Sequence, residues 1–203
     1  MPHRRPGAAR VEPVRARLDV DERRRQLVTL GIELFSTRPY DVVSIDDFAR
    51  SAGVSKGLLY HYFPTKRDFY VATVQEAARQ LLERTQPSEH LGAFDRLQTG
   101  LDGFLDYVVE HGGAYRALLR SGIGTDAEVA RIVDETREAL VSRLIEKAPI
   151  AAPGPLMRVV LRGWIGFVEA ATLGWLESPD GLERPALRDM LIEVLLSAVQ
   201  TAA

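Results

Sequence analysis

Between breaks made by glycine and proline, apolar residues in this chain recur every three or four positions. Nowhere over a useful length do they alternate. Leu27, Leu30, Gly31, Leu34 and Phe35 set the pattern. They fall on one face of a helix turning every 3.6 residues, and Pro39 ends the run. The same spacing predicts helices over about 21–37, 44–52, 55–62, 66–85, 91–110, 112–121, 125–147, 155–177 and 185–201. "HGG", "SGIG", "APIAAPGP" and "SPDG" punctuate the later ones. Three starts carry a hydroxyl three places before a carboxylate: "SIDD" at Ser44, "TKRD" at Thr65 and "TDAE" at Thr125. That is the capping-box spacing, which satisfies two otherwise orphaned amides reciprocally. With no segment of period two, the chain reads as all-α.

The 203 residues suit one domain of ordinary size or two small ones, and 46% hydrophobic content is enough for a real core. The absence of cysteine excludes disulfides, thiolate zinc sites and a cysteine nucleophile, and fits a reducing cytoplasm. The four histidines, His3, His61, His90 and His111, are too scattered for a metal site, and no glycine-rich phosphate loop is present, so no metal or cofactor is expected. The basic start lacks the apolar run of a secretory signal. Leu156 to Leu176 is the most apolar segment. Arg158, Arg162 and Glu169 interrupt it, so it reads as a buried helix and not a membrane span.

A net charge of −2 conceals an asymmetry. Residues 1–67 hold 13 basic against 8 acidic side chains, and residues 68–203 hold 13 against 20. A basic front with an acidic back points to a polyanion at one end, or to a merely arginine-rich solvated tail. Arg4, Arg5, Arg10, Arg15 and Arg17 lie in a first stretch with Pro2, Pro6 and Pro13, read as a flexible basic arm over 1–20. Such an arm either follows a minor groove or stays solvated.

"SIDDFARSAGVSKGLLYHYF", Ser44 to Phe63, is where the chemistry concentrates. Ile45, Phe48 and Ala49 make an inward face on a first short helix, and Gly53 is free to take positive φ in the turn. On the second helix Leu59 and Phe63 share the inward side. Gly57, Leu58, Tyr60 and His61 then point outward, with Lys56 at the start and Tyr62 on the flank. Two short helices across a glycine turn make a helix-turn-helix, whose second helix enters a DNA major groove. Helix starts at Ser44 and Ser55 suit phosphate oxygens. Taken singly, Tyr60 and Tyr62 read equally as half-buried rings and Lys56 and Lys66 as surface charges. A catalytic His61 would lack an adjacent carboxylate or hydroxyl.

The stretch "SIDDFARSAGVSKGLLYHYFPTKRDFY" resembles the N-terminal domain of TetR-family transcriptional regulators. The match runs through Ser44, Ile45, Phe48, Ala49, Ala52 to Gly57, Leu59 to Phe63 and Lys66. The resemblance implies a three-helix DNA-binding domain over 21–67 and a larger helical ligand-binding and dimerisation domain over 68–203. It implies a cytoplasmic homodimer with a double-stranded DNA operator and a small-molecule effector, and no membrane or cofactor. Ser44, Ser55, Tyr62 and Lys66 would hold phosphates, while Lys56, Gly57 and Tyr60 would approach bases. Leu58 stands where many members have threonine or serine. It cannot hydrogen-bond a base edge but could touch a thymine methyl.

In the C-terminal part, Gly166, Ala170 and Gly174 form a small-residue stripe, and Leu187, Leu191, Val194, Leu195 and Ala198 an apolar one. From the residues alone both read as core. The resemblance implies that they pair two subunits in a four-helix bundle. Phe94, Phe104, Tyr107, Tyr115, Trp164 and Phe167 are the aromatic candidates for a ligand pocket or for ordinary core. Arg162 and Glu169 could orient a ligand's polar end or form ion pairs. The expectation is a dimeric repressor released from DNA by a small, partly apolar ligand. The alternatives are a ligand-independent architectural DNA binder and an all-helical enzyme.

Overall fold

The computed structural model describes residues 20–38, 40–119, 126–147 and 154–202. The described residues form nine helices and no strand. They are α1 (Val20–Thr37), α2 (Ile45–Ser51), α3 (Lys56–Tyr62), α4 (Lys66–Arg84), α5 (Ala93–Glu110), α6 (Gly112–Ala117), α7 (Ala127–Lys147), α8 (Pro155–Glu177) and α9 (Arg184–Ala202). The predicted helices are all present, so the all-α reading holds. The arginines of the basic arm lie outside the described residues.

Local chemistry fixes the starts. Ser44 and Thr65 each close a complete capping box, with Asp47 and Asp68 as the returning carboxylates. Thr125 lies outside the described residues. At that start the Asp126 carboxylate accepts from the amides of Glu128 and Val129. Gly53 sits at φ +62° in the turn between α2 and α3, the left-handed region a side chain disfavours.

Two cores result. In the first, Phe48 of α2, Leu59 of α3, Phe63 just past its end and Phe69 of α4 close on Leu27, Val28 and Phe35 of α1. The Phe69 ring is 4.3 Å from that of Phe48 and 5.1 Å from that of Phe63. In the second, α5, α7, α8 and α9 contribute Leu105, Val108, Val141, Leu161, Trp164 and Leu191. Helix α4 touches both: its Phe69 fills the first core and its Leu81 packs against the second, while Val71 and Val74 form a smaller third cluster with Val129 and Ile132 of α7. A second link is made by backbone: Gly113 of α6 lies so close to the Ser36 carbonyl of α1 that any Cβ would overlap it.

Helix α8 is long and apolar enough, by length and composition, to cross a membrane. Met157, Leu161, Trp164, Ile165 and Val168 are buried against the other helices. The sequence reading of a buried helix holds for one face only. The opposite face carries Leu156, Val159, Gly163, Gly166, Phe167, Ala170 and Gly174, all exposed.

Candidate nucleic-acid interface, cavity and apolar face

The helix-turn-helix is held from behind. Leu59 is 0% exposed, which fixes the rotation of α3 and turns Lys56, Gly57, Tyr60 and His61 to solvent. Leu58 and Tyr62 are half-buried on the flanks. The two serines differ chemically. The Ser44 hydroxyl accepts from the Asp47 amide and donates to the Asp47 carboxylate at 2.6 Å, so its proton is engaged. The Ser44 hydroxyl and amide together hold the Asp47 carboxyl below its usual range. Ser55 accepts from the Leu58 amide at 3.1 Å, and its proton remains available to an acceptor such as a phosphate oxygen.

The basic groups are also placed by partners. Lys56 Nζ is 2.9 Å from Asp46, whose carboxylate favours the charged ammonium. Lys66 Nζ stands 4.3 Å over the Tyr40 ring. Arg24 of α1, not foreseen from the sequence, lies 5.2 Å over the Phe63 ring. Arg67, next to Lys66, reaches back to α7 and donates to Asp126 at 2.6 and 2.9 Å and to Glu128 at 3.1 Å. The start of α4 is thus tied to the start of α7.

Behind this face the helical body is hollow. A cavity of about 1060 Å³ runs from Phe35 and Tyr70 beside the first core to Leu195 and Val199 on α9. Most of its wall is aliphatic or aromatic. Four sequence candidates, Phe104, Tyr107, Tyr115 and Trp164, line it, and so does Phe94 near its edge. Phe167 does not: it is 39% exposed, on the outer face of α8. Tyr107 donates to the Ala77 carbonyl at 3.0 Å and Trp164 to the Leu191 carbonyl at 2.9 Å, so both rings are anchored to backbone. Arg162 and Glu169 do not pair with each other. Arg162 binds Asp134, and Glu169 on the cavity wall receives two hydrogen bonds from Arg137 at 2.7 and 2.9 Å. Arg137 and Arg143 were missed in the sequence, since nothing in the spacing on α7 separates an inward arginine from an exposed one.

The expected dimer residues divide. Gly166, Ala170 and Gly174 lie on the exposed face of α8, and a Cβ at either glycine would meet nothing within 4 Å. Val194 is exposed and Ala198 half-buried along the neighbouring edge of α9. Leu187, Leu191 and Leu195 are 2%, 0% and 5% exposed within the chain's own core, so they cannot also meet a second subunit. Leu156, Val159 and Gly163 extend the outer face in their place; the same three- and four-residue spacing marks them in the sequence. Among the described residues no three His, Asp or Glu side chains converge as a metal site would require.

Residues 27–73 match the bacterial regulatory proteins of the tetR family, and residues 94–198 match a tetracyclin repressor-like C-terminal domain. The transcriptional activator FasR of Mycolicibacterium smegmatis is 27% identical over 186 residues, 87% of this chain and 81% of that one. A tetR-family transcriptional regulator from Streptomyces coelicolor has a crystal structure that superposes with a TM-score of 0.77. It is 31% identical, over 89% of this chain and 80% of that one. The transcriptional regulator FadR from Bacillus subtilis, solved in complex with stearoyl-CoA, shares the fold at a TM-score of 0.66. It is 17% identical, over 86% of this chain and 97% of that one. A helix-turn-helix on a separate small core, joined through α4 to a hollow helical body, agrees with both domain matches: the chain is a member of the TetR family of DNA-binding transcriptional regulators, not an enzyme.

Proposed function

We propose that the protein is a homodimeric repressor that leaves its operator when a small, largely apolar ligand fills the cavity. The observation that carries this reading is the pairing of an outward-facing recognition helix with a cavity of about 1060 Å³ whose walls include α4, which fills the first core with Phe69 and packs Leu81 on the second. Residues 21–67 form the DNA-binding part and 68–203 the ligand and dimer part. Lys56, Gly57, Leu58, Tyr60 and His61 meet the major groove. Ser55, Tyr62 and Lys66 meet phosphates, and Ser44 acts there through its helix cap and not through its own proton. The exposed face of α8 from Leu156 to Gly174, with Val194 and Ala198, seats the second copy. Two-fold pairing of that kind would let two recognition helices meet successive major grooves. A DNA regulator of this kind works in the cytoplasm.

Ligand binding changes operator affinity only to the extent that the ligand prefers one subunit geometry over the other. An apolar lining favours an apolar body, and the stearoyl-CoA held by the Bacillus subtilis FadR supports an elongated one. The name of the Mycolicibacterium smegmatis relative favours a second reading of the output, in which the bound dimer activates transcription. Selection of bound sequences from random duplex DNA, followed by reporter transcription with the selected site, tests both. A palindromic site whose reporter is silenced supports repression, and one whose reporter is raised supports activation. Recovery of no preferred sequence would sink the sequence-specific reading in favour of an architectural binder.

A further inference from the structure

The cations around the recognition helix are held in two different ways. Lys56 lies 2.9 Å from Asp46, and Arg50 lies 3.1 Å from Asp47. Arg67 is turned away to Asp126 and Glu128 at the start of α7. Each of these charges is partly spent on a carboxylate. Lys66, the neighbour of Arg67, has no carboxylate within ion-pair reach among the described residues. Its Nζ stands instead 4.3 Å from the centre of the Tyr40 ring. An aromatic face attracts an ammonium through its quadrupole but carries no net charge, so it fixes the lysine without neutralising it.

The ring itself is held in place. Tyr40 lies between α1 and α2, with its centroid 4.6 Å from that of Tyr70 on α4 and 6.3 Å from that of Phe35 on α1. Tyr70 in turn meets Phe35 edge-on at 5.0 Å. The three rings close a triangle that joins the loop to both helices, and all three line one end of the cavity. Burial, and after it the Asp126 and Asp41 carboxylates, push the Tyr40 ionisation upward, with Arg67 opposing, so the ring stays neutral. A lysine loose in water gives up much of its side-chain freedom on meeting a phosphate, and one already seated gives up less. We propose that Tyr40 is a positioning residue for DNA binding: its ring holds the Lys66 ammonium, uncompensated, where a backbone phosphate meets it. The inference rests on Lys66 contacting phosphate, as the proposed function has it, and adds what prepares that contact. Two accounts compete with it. In one the lysine merely covers the ring, and in the other the ring draws the lysine away from DNA.

The test uses the full chain and a random-sequence DNA duplex of about 30 base pairs, since phosphate contacts form without regard to base. Tyr40→Leu should weaken binding about tenfold over the two subunits of a dimer, and Tyr40→Phe, which keeps the ring, should leave it unchanged. Lys66→Ala should itself weaken binding, and in that background Tyr40→Leu should cost nothing further. The Lys66 side-chain proton resonances should be shifted upfield by the ring in the parent and in Tyr40→Phe, and return to ordinary positions in Tyr40→Leu. Four results would each overturn the proposal alone. Parental affinity in Tyr40→Leu leaves the lysine as mere cover for the ring. Tighter binding in that variant means that the ring withholds the lysine. An equal loss with and without Lys66 assigns Tyr40 to the core. A loss in Tyr40→Phe moves the effect to the hydroxyl. Parental affinity in Lys66→Ala removes the phosphate contact and the proposal together, and a parent protein that binds no duplex brings down the DNA-binding reading itself.

Discussion

The two cores of this chain are built from similar residues and reach opposite ends. Around Phe69, the rings of Phe48, Phe63 and Phe35 lie within 4.3 to 5.9 Å, and the largest side chains are fully enclosed. Around Trp164, equally apolar helices line about 1060 Å³ of space that is partly open to solvent. Protein interiors ordinarily close-pack, so a void of this size is dispersion energy forgone. In the first core rigidity is useful, because the short α2 and α3 must hold their angle against DNA. In the second, the proposed role asks for room for a guest, at a cost in packing.

The largest expected effect separates the two directly. Phe69→Ala should cost about 3–5 kcal/mol in urea unfolding, since it empties a filled site. Leu140→Ala on the cavity wall should stay at or below about 2 kcal/mol, because its surroundings already include open space. Equal losses would erase the contrast. Gly113→Ala should come next. Its methyl group meets the Ser36 carbonyl, so the backbone of α6 must retreat from α1, at about 1–3 kcal/mol and with a lower melting point.

The outer face of α8 should behave like neither core. Gly166→Leu meets open space within the chain, so its own fold should lose nothing and, from helix propensity, gain up to about 1 kcal/mol. Sedimentation should nevertheless detect loss of the dimer; a parent protein that sediments as a monomer at micromolar concentration would remove that face from function. Lys66→Ala should leave both cores intact and make the dependence of DNA affinity on salt shallower by roughly one unit. An unchanged slope would release Lys66 from the phosphate role and leave it as a partner of Tyr40 only. The smallest effect concerns the tie between Arg67 and Asp126. The Arg67 guanidinium holds the Asp126 carboxyl below its ordinary range in the folded chain, so its stabilising contribution is complete once pH lies above that ordinary range. The contribution is lost as pH falls through the lower folded value, and Asp126→Asn should flatten only that acid limb of a stability–pH curve.

Local signals were the most legible. Ser44 with Asp47 and Thr65 with Asp68 sit three residues apart, and a cap involves no distant partner, so their spacing alone placed α2 and α4. The face of α3 was legible for the same reason, because Leu59 and Phe63 settle its rotation. The body was not. An apolar stripe states that a helix has something to cover, not which neighbour covers it. Leu191 and Val194 are three positions apart on α9, yet one is core and the other surface. On α8, Trp164 faces the cavity and Phe167 faces away from it. A cavity is a property of how distant helices fail to meet, and no window of sequence contains it. The engaged proton of Ser44 was equally unreadable, since the spacing that predicts a cap is silent about which oxygen donates.

The contact between α6 and α1 has a consequence for how such a protein can diverge. It joins a backbone carbonyl, at Ser36, to a position with no side chain, at Gly113. The two partners are not equally free to drift. Position 36 contributes only its carbonyl, which every amino acid supplies, and its hydroxyl turns aside to the Ile32 carbonyl. Position 113 contributes an absence, which one amino acid alone supplies. In a library randomised at both sites and sorted for folded protein, position 36 should return many residues and position 113 almost exclusively glycine. Lineages can therefore remodel the cavity wall and the groove-facing residues extensively while the seam between the two halves stays nearly fixed.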